Sequence, residues 1–266
     1  DHLFVVVREI EEEEMEDDPL DSDARIKFSI GTKQPGDADG QLNCPSGLVF
    51  DHRGLLLISD SSNNRVQVFS CDDGASFVSK LGVQGNRPGQ LVNPFDLRID
   101  HDHDRILIVD YGNNRVQSWS LSNQSFLSSI GHRGSGDLEF SFPQGIAIDK
   151  HHHRIIVTDT NNHRLVFLSS IDLSFLFSIG KRGSRPGEFD YPSSIAIDDD
   201  RHRIIVTDSD NHRVQVLSSI DGSFLLEFGS QGDQPGQLKL PHGVCIDNQG
   251  RIIVADYNNL RLQSFT

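Results

Sequence analysis

Five prolines, Pro45, Pro94, Pro143, Pro192 and Pro241, recur every 49 residues, and a near-copy of one stretch follows each. Self-similarity at a period of roughly 20–50 residues marks a solenoid, a propeller or an array, because one copy alone cannot bury its apolar face. A chain of near-copies leaves little room for a unique active site. Function is therefore to be sought where the copies differ.

The fourth copy reads most clearly. Ser194–Asp198 is a short apolar run, Arg203–Asp208 is β-branched, Arg213–Leu217 alternates with period two, and Ser223–Gly229 forms another run. Four strands of about 5–7 residues joined by short polar turns predict one antiparallel meander. No 3.6-residue periodicity appears, so helix content is expected to be near zero. Sheets with apolar residues on both faces must be covered on both sides, and radial stacking achieves this while exposing only short edges. The expected fold is an all-β propeller.

The turn between the second and third strands carries the strictest pattern, Asp-x-x-Asn-x-Arg. It contains Asp60 and Arg65, Asp110 and Arg115, Asp159 and Arg164, Asp208 and Arg213, and Asp256 and Arg261. Asp and Asn side chains bond turn backbone and tolerate left-handed dihedrals. Repeated in every copy, these groups read as scaffold rather than as a ligand site.

Asn161-Asn162-His163-Arg164-Leu165 and Asp210-Asn211-His212-Arg213-Val214 resemble the Asn-His-Leu (NHL) repeat, as do Pro143 to Asp149 and Gly180 to Phe189. The resemblance covers roughly residues 25–266. It implies a β-propeller, usually six-bladed, that serves as an interaction platform. In tripartite-motif proteins this module selects RNA or protein partners for an attached ubiquitin ligase. Two departures are Leu260 in place of His in copy five and Asp96 in place of Gly in copy two.

Residues 1–24 are expected to be an acidic segment with one possible strand, and residues 25–266 the propeller, with repeats starting near 45, 94, 143, 192 and 241. Phe28–Gly31 is identical to Phe177–Gly180, so residues 25–31 read as a fourth strand that closes the ring. Leu3–Val7 reads as a further third strand. Five recognisable blades closed by the N-terminal strand are the expectation, and a six-bladed ring with one incomplete blade is the alternative.

The formal net charge is -15, and residues 1–24 hold eleven carboxylates against one Arg. That run reads as a solvated loop. Three cysteines, Cys44, Cys71 and Cys245, lack Cys-x-x-Cys spacing. They favour a reducing compartment, and the cytoplasm is the expected location. No apolar stretch approaches the roughly 20 residues that span a bilayer, and Leu3–Val7 is too short for a signal-peptide core. The chain does not begin with Met, which suggests an excised or trimmed chain.

Twelve histidines include repeat-equivalent pairs such as His52 and His101, and His163 and His212. A metal needs three or four ligands converging at about 2 Å. Residues one repeat apart lie on neighbouring blades instead, so no metal or other cofactor is expected. A metal-dependent lyase or hydrolase at the central channel, which related propellers suggest, is a further alternative. The inner strands offer mostly small or apolar residues for it, and no catalytic constellation is found.

Two irregularities remain. Asp96 and Arg98 share one face of a copy-two strand, reading as an ion pair beside the channel or as a polar anchor for a ligand. The loops joining one blade to the next carry Arg87, then His132 and Arg133, then Lys181, Arg182 and Arg185. Phe95, Tyr111 and Tyr191 fall among these cations. Such an arc can hold an acidic peptide with an aromatic anchor or stacked bases and phosphates. The expected function is a monomeric, non-catalytic module that binds a protein or peptide on this loop face, as the substrate-recognising part of a ubiquitin ligase. Single-stranded RNA binding on the same face is the first alternative, with no membrane partner in either case.

Overall fold

The computed structural model describes residues 29–72 and 74–266. Blade 1 comprises β1 (Pro45–Phe50), β2 (Leu55–Asp60), β3 (Arg65–Ser70) and β4 (Ser76–Leu81). Blade 2 comprises β5 (Pro94–Asp100), β6 (Arg105–Asp110), β7 (Arg115–Ser120) and β8 (Phe126–Ile130). The short strands β9 (His132–Arg133) and β10 (Glu139–Phe140) pair in the loop that follows. Blade 3 comprises β11 (Ile146–Asp149), β12 (Arg154–Asp159), β13 (Arg164–Ser169) and β14 (Phe175–Ile179). Blade 4 comprises β15 (Pro192–Asp198), β16 (Arg203–Asp208), β17 (Arg213–Ser218) and β18 (Phe224–Phe228). Blade 5 has three strands among the described residues, β19 (Pro241–Ile246), β20 (Ile252–Asp256) and β21 (Arg261–Phe265).

Each blade is an antiparallel meander in chain order, as the repeat predicts. The only helical pieces among the described residues are one-turn 3-10 segments. In blades 2–4 the second and third strands are buried on both faces because a blade lies against each side, which is why they read as continuous apolar runs. The core is accordingly divided between blades. Val66 and Val68 of blade 1 pack with Leu97, Ile106 and Trp119 of blade 2. Val116 meets Val166 and Leu168, Phe167 meets Ile204 and Leu217, and Val214 and Val216 meet Val244 and Val254. Fully burying each such side chain contributes about 1.5–3 kcal/mol.

The inner strands touch in sequence: β1 with β5, β5 with β11, β11 with β15, and β15 with β19. No comparable packing joins β19 to β1 among the described residues. Five blades are thus present among the described residues, and no described strand joins the fifth to the first. Most of the expected closing strand, residues 25–28, lies outside the described residues, as does Leu3–Val7. Of the strand's last three residues, none joins a sheet, and Ile30 packs against Leu42, Leu56 and Phe69 on blade 1.

Both ends of the blades are pinned by ion pairs. The turns from second to third strand use the Asp-x-x-Asn-x-Arg pattern. At the opposite end, the sequence pattern left a second set unnoticed: Asp100 with Arg105 at 2.8 Å, Asp149 with Arg154 at 2.6 Å and Asp198 with Arg203 at 2.5 Å. Arg105 and Arg154 also donate to the carbonyls of Ser170 and Ser219 on the following blade. No helix among the described residues is long and apolar enough to cross a membrane.

Candidate partner-binding face

The repeated turn shapes the loop that enters its own blade. Asp60 Oδ2 accepts from Arg65 Nε at 2.7 Å and from Gln67 Nε2 at 3.0 Å, while its Oδ1 accepts the Asn43 N–H at 2.6 Å. With its Nε so held, Arg65 donates Nη2 to the carbonyls of Ala38 and Gln41. The same clamp recurs at Arg115 on Asn86, Arg87 and Gln90, and at Arg213 on Ser184, Arg185 and Glu188. Arg164 holds Gly136 and Glu139, and Arg261 holds Asp233, Gln234 and Gln237. The charged turns are therefore consumed in building the loop face. Burial pushes the Asp159 and Asp208 carboxyls up, against the pull of their Asn and Arg partners.

The residue just before each of these arginines stands in the left-handed region, with φ between 52° and 57° at Asn64, Asn114, His163, His212 and Leu260. Four of the five reach the next blade. Asn64 Oδ1 accepts the Asn93 N–H at 3.0 Å, and Asn114 Oδ1 accepts that of Phe142 at 2.9 Å. His163 Nδ1 accepts from Tyr191 at 3.2 Å, and His212 Nδ1 from Leu240 at 3.1 Å. Leu260 has no acceptor to offer. The recipients Asn93, Phe142, Tyr191 and Leu240 also have positive φ and each precedes a repeat proline.

Beyond that proline, β5, β15 and β19, like β1, carry a bulge, opposing two residues to one on the neighbouring strand. Bulges re-aim side chains, and here they turn Phe95 and His242 into the mouth of the channel. Their rings meet at 5.9 Å although they belong to blades 2 and 5. The contact is part of a longer run. Arg133 lies over Phe142 at 5.9 Å, Phe142 meets Tyr111 at 5.1 Å, Tyr111 meets Phe95 at 5.8 Å, and His242 meets Tyr257 at 5.7 Å. Burial lowers the His242 pKa, which favours the neutral form of the ring. Phe142, His242 and Tyr257 were missed in the sequence because they occupy ordinary repeat positions, and only ring closure aligns them.

Of the residues expected to bind a partner, Phe95, Tyr111 and Arg133 are brought into this run. Tyr191 forms a separate group, edge-on to His163 at 4.9 Å. The arc's cations are exposed, and three of the six are matched within their own loops. Lys181 lies 3.4 Å from Glu188, Arg182 lies 3.4 Å from Asp190, and His132 lies 3.3 Å from Glu139. Hydrogen bonds from the Arg185 and Gly136 backbones hold the Glu188 and Glu139 carboxyls below the usual range. Arg87, Arg133 and Arg185 make no ion pair among the described residues.

Asp96 and Arg98 do pair, at 2.6 Å. The carboxylate does more than that: Oδ1 also accepts the Leu97 N–H, and Oδ2 accepts the Ile146 N–H of blade 3 at 3.1 Å. The Ser194 hydroxyl does the same for Val244 between blades 4 and 5, at 3.3 Å. Asp96 therefore works as a link between blades. Arg98 lies close enough to Cys245 across the channel to oppose the upward push of burial on that thiol.

The paired histidines other than His163 and His212 sit on the turns between first and second strands, at the end away from the loop face. His52 and His101 meet at 5.2 Å and His151 and His202 at 5.4 Å, while His103 and His152 bond Asp100 and Asp149. Among the described residues no three metal-ligating side chains converge.

Comparison with known proteins agrees with this architecture. A family model described as a 6-bladed beta-propeller matches residues 44–134, and the NHL repeat matches residues 140–166, 189–217 and 238–265. Protein lin-41 of Caenorhabditis elegans is 47% identical over 45 residues, 17% of this chain and 4% of that protein. Protein wech of Drosophila melanogaster is 44% identical over 50 residues, 19% of this chain and 6% of that protein. The chain thus matches only a small part of these much longer relatives. Among solved structures, a streptogramin B lyase superposes with a TM-score of 0.63 at 15% identity, over 89% of this chain and 68% of that one. The Kuenenia stuttgartiensis hydrazine synthase gives 0.61 at 14% identity, over 84% and 58%. At such identities the likeness is one of fold alone. Repeat spacing, blade topology and the family matches together make this chain a β-propeller built of NHL repeats.

Proposed function

We propose that this propeller is a non-catalytic interaction module that binds a protein or peptide partner on its loop face. The observation that carries the reading is the aromatic run from Arg133 to Tyr257 across the channel mouth. It lies on the same face as the exposed Arg87, Lys181, Arg182 and Arg185. Aromatic and Arg side chains at the centre of a rigid surface are what protein interfaces use as anchors. A platform whose own Asp and Arg groups are spent on loop carbonyls presents mainly these anchors. An acidic peptide bearing an aromatic or aliphatic side chain fits best. The net charge of -15 disfavours a long nucleic acid, whose affinity comes largely from phosphate neutralisation. By its resemblance, the module is the substrate-recognising end of a ubiquitin ligase whose catalytic part is a separate domain.

Capture of partners by the purified chain, with and without nuclease, tests this. Protein capture that survives nuclease is the expected result, and capture that nuclease abolishes would transfer the reading to RNA. Tyr111→Ala with Tyr257→Ala is expected to weaken capture at least about tenfold. Reversing Lys181, Arg182 and Arg185 to Glu is expected to weaken it further. Binding unmoved by both variants would place the site off this face.

A further inference from the structure

The loops between blades are near-copies that can be compared position by position, and one serine among them stands apart. Ser184 follows Lys181-Arg182-Gly183 and precedes Arg185-Pro186. Among the described residues it is the one Ser or Thr with Lys or Arg both two and three positions before it. Its equivalents in the other loops are Asp37, Asn86, Ser135 and Asp233. Ser135 has Arg133 two places before it but His132 in the third place, and His132 lies 3.3 Å from Glu139. Ser118 and Ser264 each follow an Arg by three positions. Those arginines, Arg115 and Arg261, are spent on Asp110 and Asp256 and on loop carbonyls, and Ser118 is buried.

Ser184 is exposed in its loop. Arg213 holds the backbone there, with Nη1 on the Ser184 carbonyl at 2.8 Å and Nη2 on the Arg185 carbonyl at 3.1 Å, so the loop does not depend on the serine hydroxyl. The side chains of Lys181 and Arg182 are 77% and 71% exposed, and their partners Glu188 and Asp190 lie at 3.4 Å. Exposed pairs of that length contribute little and give way to a stronger acidic partner. Arg185, one residue on, makes no ion pair among the described residues. Asp37 and Asp233 stand exposed at the same loop position, and Arg261 holds the Asp233 carbonyl at 2.7 Å as Arg213 holds that of Ser184. The fold therefore accepts a negative side chain at this place.

We infer that Ser184 is a phosphorylation site for a serine kinase selective for basic residues, and that its phosphate closes the basic side of the loop face to acidic partners. The second half rests on the binding role proposed above. The γ-phosphoryl group of ATP passes to Ser184 Oγ: its bond to the ADP oxygen breaks, the Oγ–P bond forms, and the hydroxyl proton goes to the kinase's carboxylate base. The product carries about −1.5 to −2 charges at neutral pH. Residues 181–190 hold three Lys or Arg against two carboxylates, so the phosphate reverses the sign of the loop. Charge-assisted bonds to Arg182 and Arg185 occupy the cations that an acidic peptide would need. The loop then matches those that carry Asp37 and Asp233.

Incubating the folded full chain with the catalytic subunit of cAMP-dependent protein kinase and Mg–ATP tests the site by mass spectrometry. A phosphate at Ser184 is expected, absent from Ser184→Ala and unaffected by Ser135→Ala. Lys181→Gln with Arg182→Gln is expected to slow its incorporation at least about tenfold. No incorporation at Ser184 overturns the site. The switch is read with a random Glu–Tyr copolymer, an acidic polypeptide with aromatic side chains. The unmodified chain is expected to bind it, and the phosphorylated chain to bind at least about tenfold more weakly. Tm is expected to move by less than about 2 °C on phosphorylation. Equal binding by both forms, or weaker binding with a larger fall in Tm, overturns the switch. Copolymer ignored by the unmodified chain sinks the binding role and the switch with it, while the mass measurement decides the site independently.

Discussion

At the scale of single residues, the left-handed position before each repeat Arg carries most of the information. A non-glycine residue there costs about 1–2 kcal/mol, and Asn or His recovers part of it by accepting an N–H from the next blade. Leu260 has the strain, at φ 52°, and no compensating bond. Leu260→Asn is expected to stabilise the chain by about 1 kcal/mol, read as a shift in the midpoint of urea unfolding. The Asp-x-x-Asn-x-Arg pattern was legible because its members are five residues apart and meet within one turn. What the Arg does with its other nitrogens was not. The carbonyls it holds lie 24 to 29 residues upstream, and no local pattern marks them.

At the scale of elements, the strands were readable and their interfaces were not. Apolar runs and turn residues predicted four strands per repeat, since both are dictated by backbone sterics and burial. The bulge after four of the five repeat prolines left no mark, because residues on either side of it are ordinary strand residues. It nonetheless decides which side chains face the channel and how near the next blade comes. Gly47 and Gly243 occupy one repeat position and follow the same bulge, yet differ because the backbone of the next blade lies against Gly47 and no described residue does so at Gly243. Gly47→Ala is expected to cost about 2 kcal/mol through overpacking, and Gly243→Ala less than about 0.5 kcal/mol, both by chemical denaturation. Equal costs would mean that an inner strand already lies against Gly243. In the sequence the Asp96–Arg98 pair stands out as an irregularity of one strand. Its bond to the Ile146 N–H makes it a joint between two blades, a role that one strand read alone cannot reveal.

At the scale of the whole molecule, Phe95 and His242 join blades 2 and 5 across the channel mouth. Burial lowers the His242 pKa, so the unfolded chain takes up a proton at a pH where the folded chain does not. The stability this contributes is present above the ordinary imidazole pKa and is lost as pH falls. Tm is therefore expected to drop between about pH 7 and pH 5. His242→Phe is expected to make that drop shallower, while some remains from His163, whose pKa burial also lowers. An unchanged slope in scanning calorimetry would mean that His242 is accessible to solvent.

By itself the sequence determined the blades, their antiparallel order and the turns that repeat with them. Each of these follows from residue spacing along the chain, and a period of 49 residues states it five times over. Only the tertiary structure decided which residues share a surface. Of the six loop cations that looked like one arc, His132, Lys181 and Arg182 are matched by Glu139, Glu188 and Asp190 within their own loops. Rings separated by more than a hundred residues, Phe95 and His242, form one contact. Radial packing causes both outcomes. It brings blades distant in sequence to a common axis, while hydrogen bonding keeps each loop occupied with its own turn.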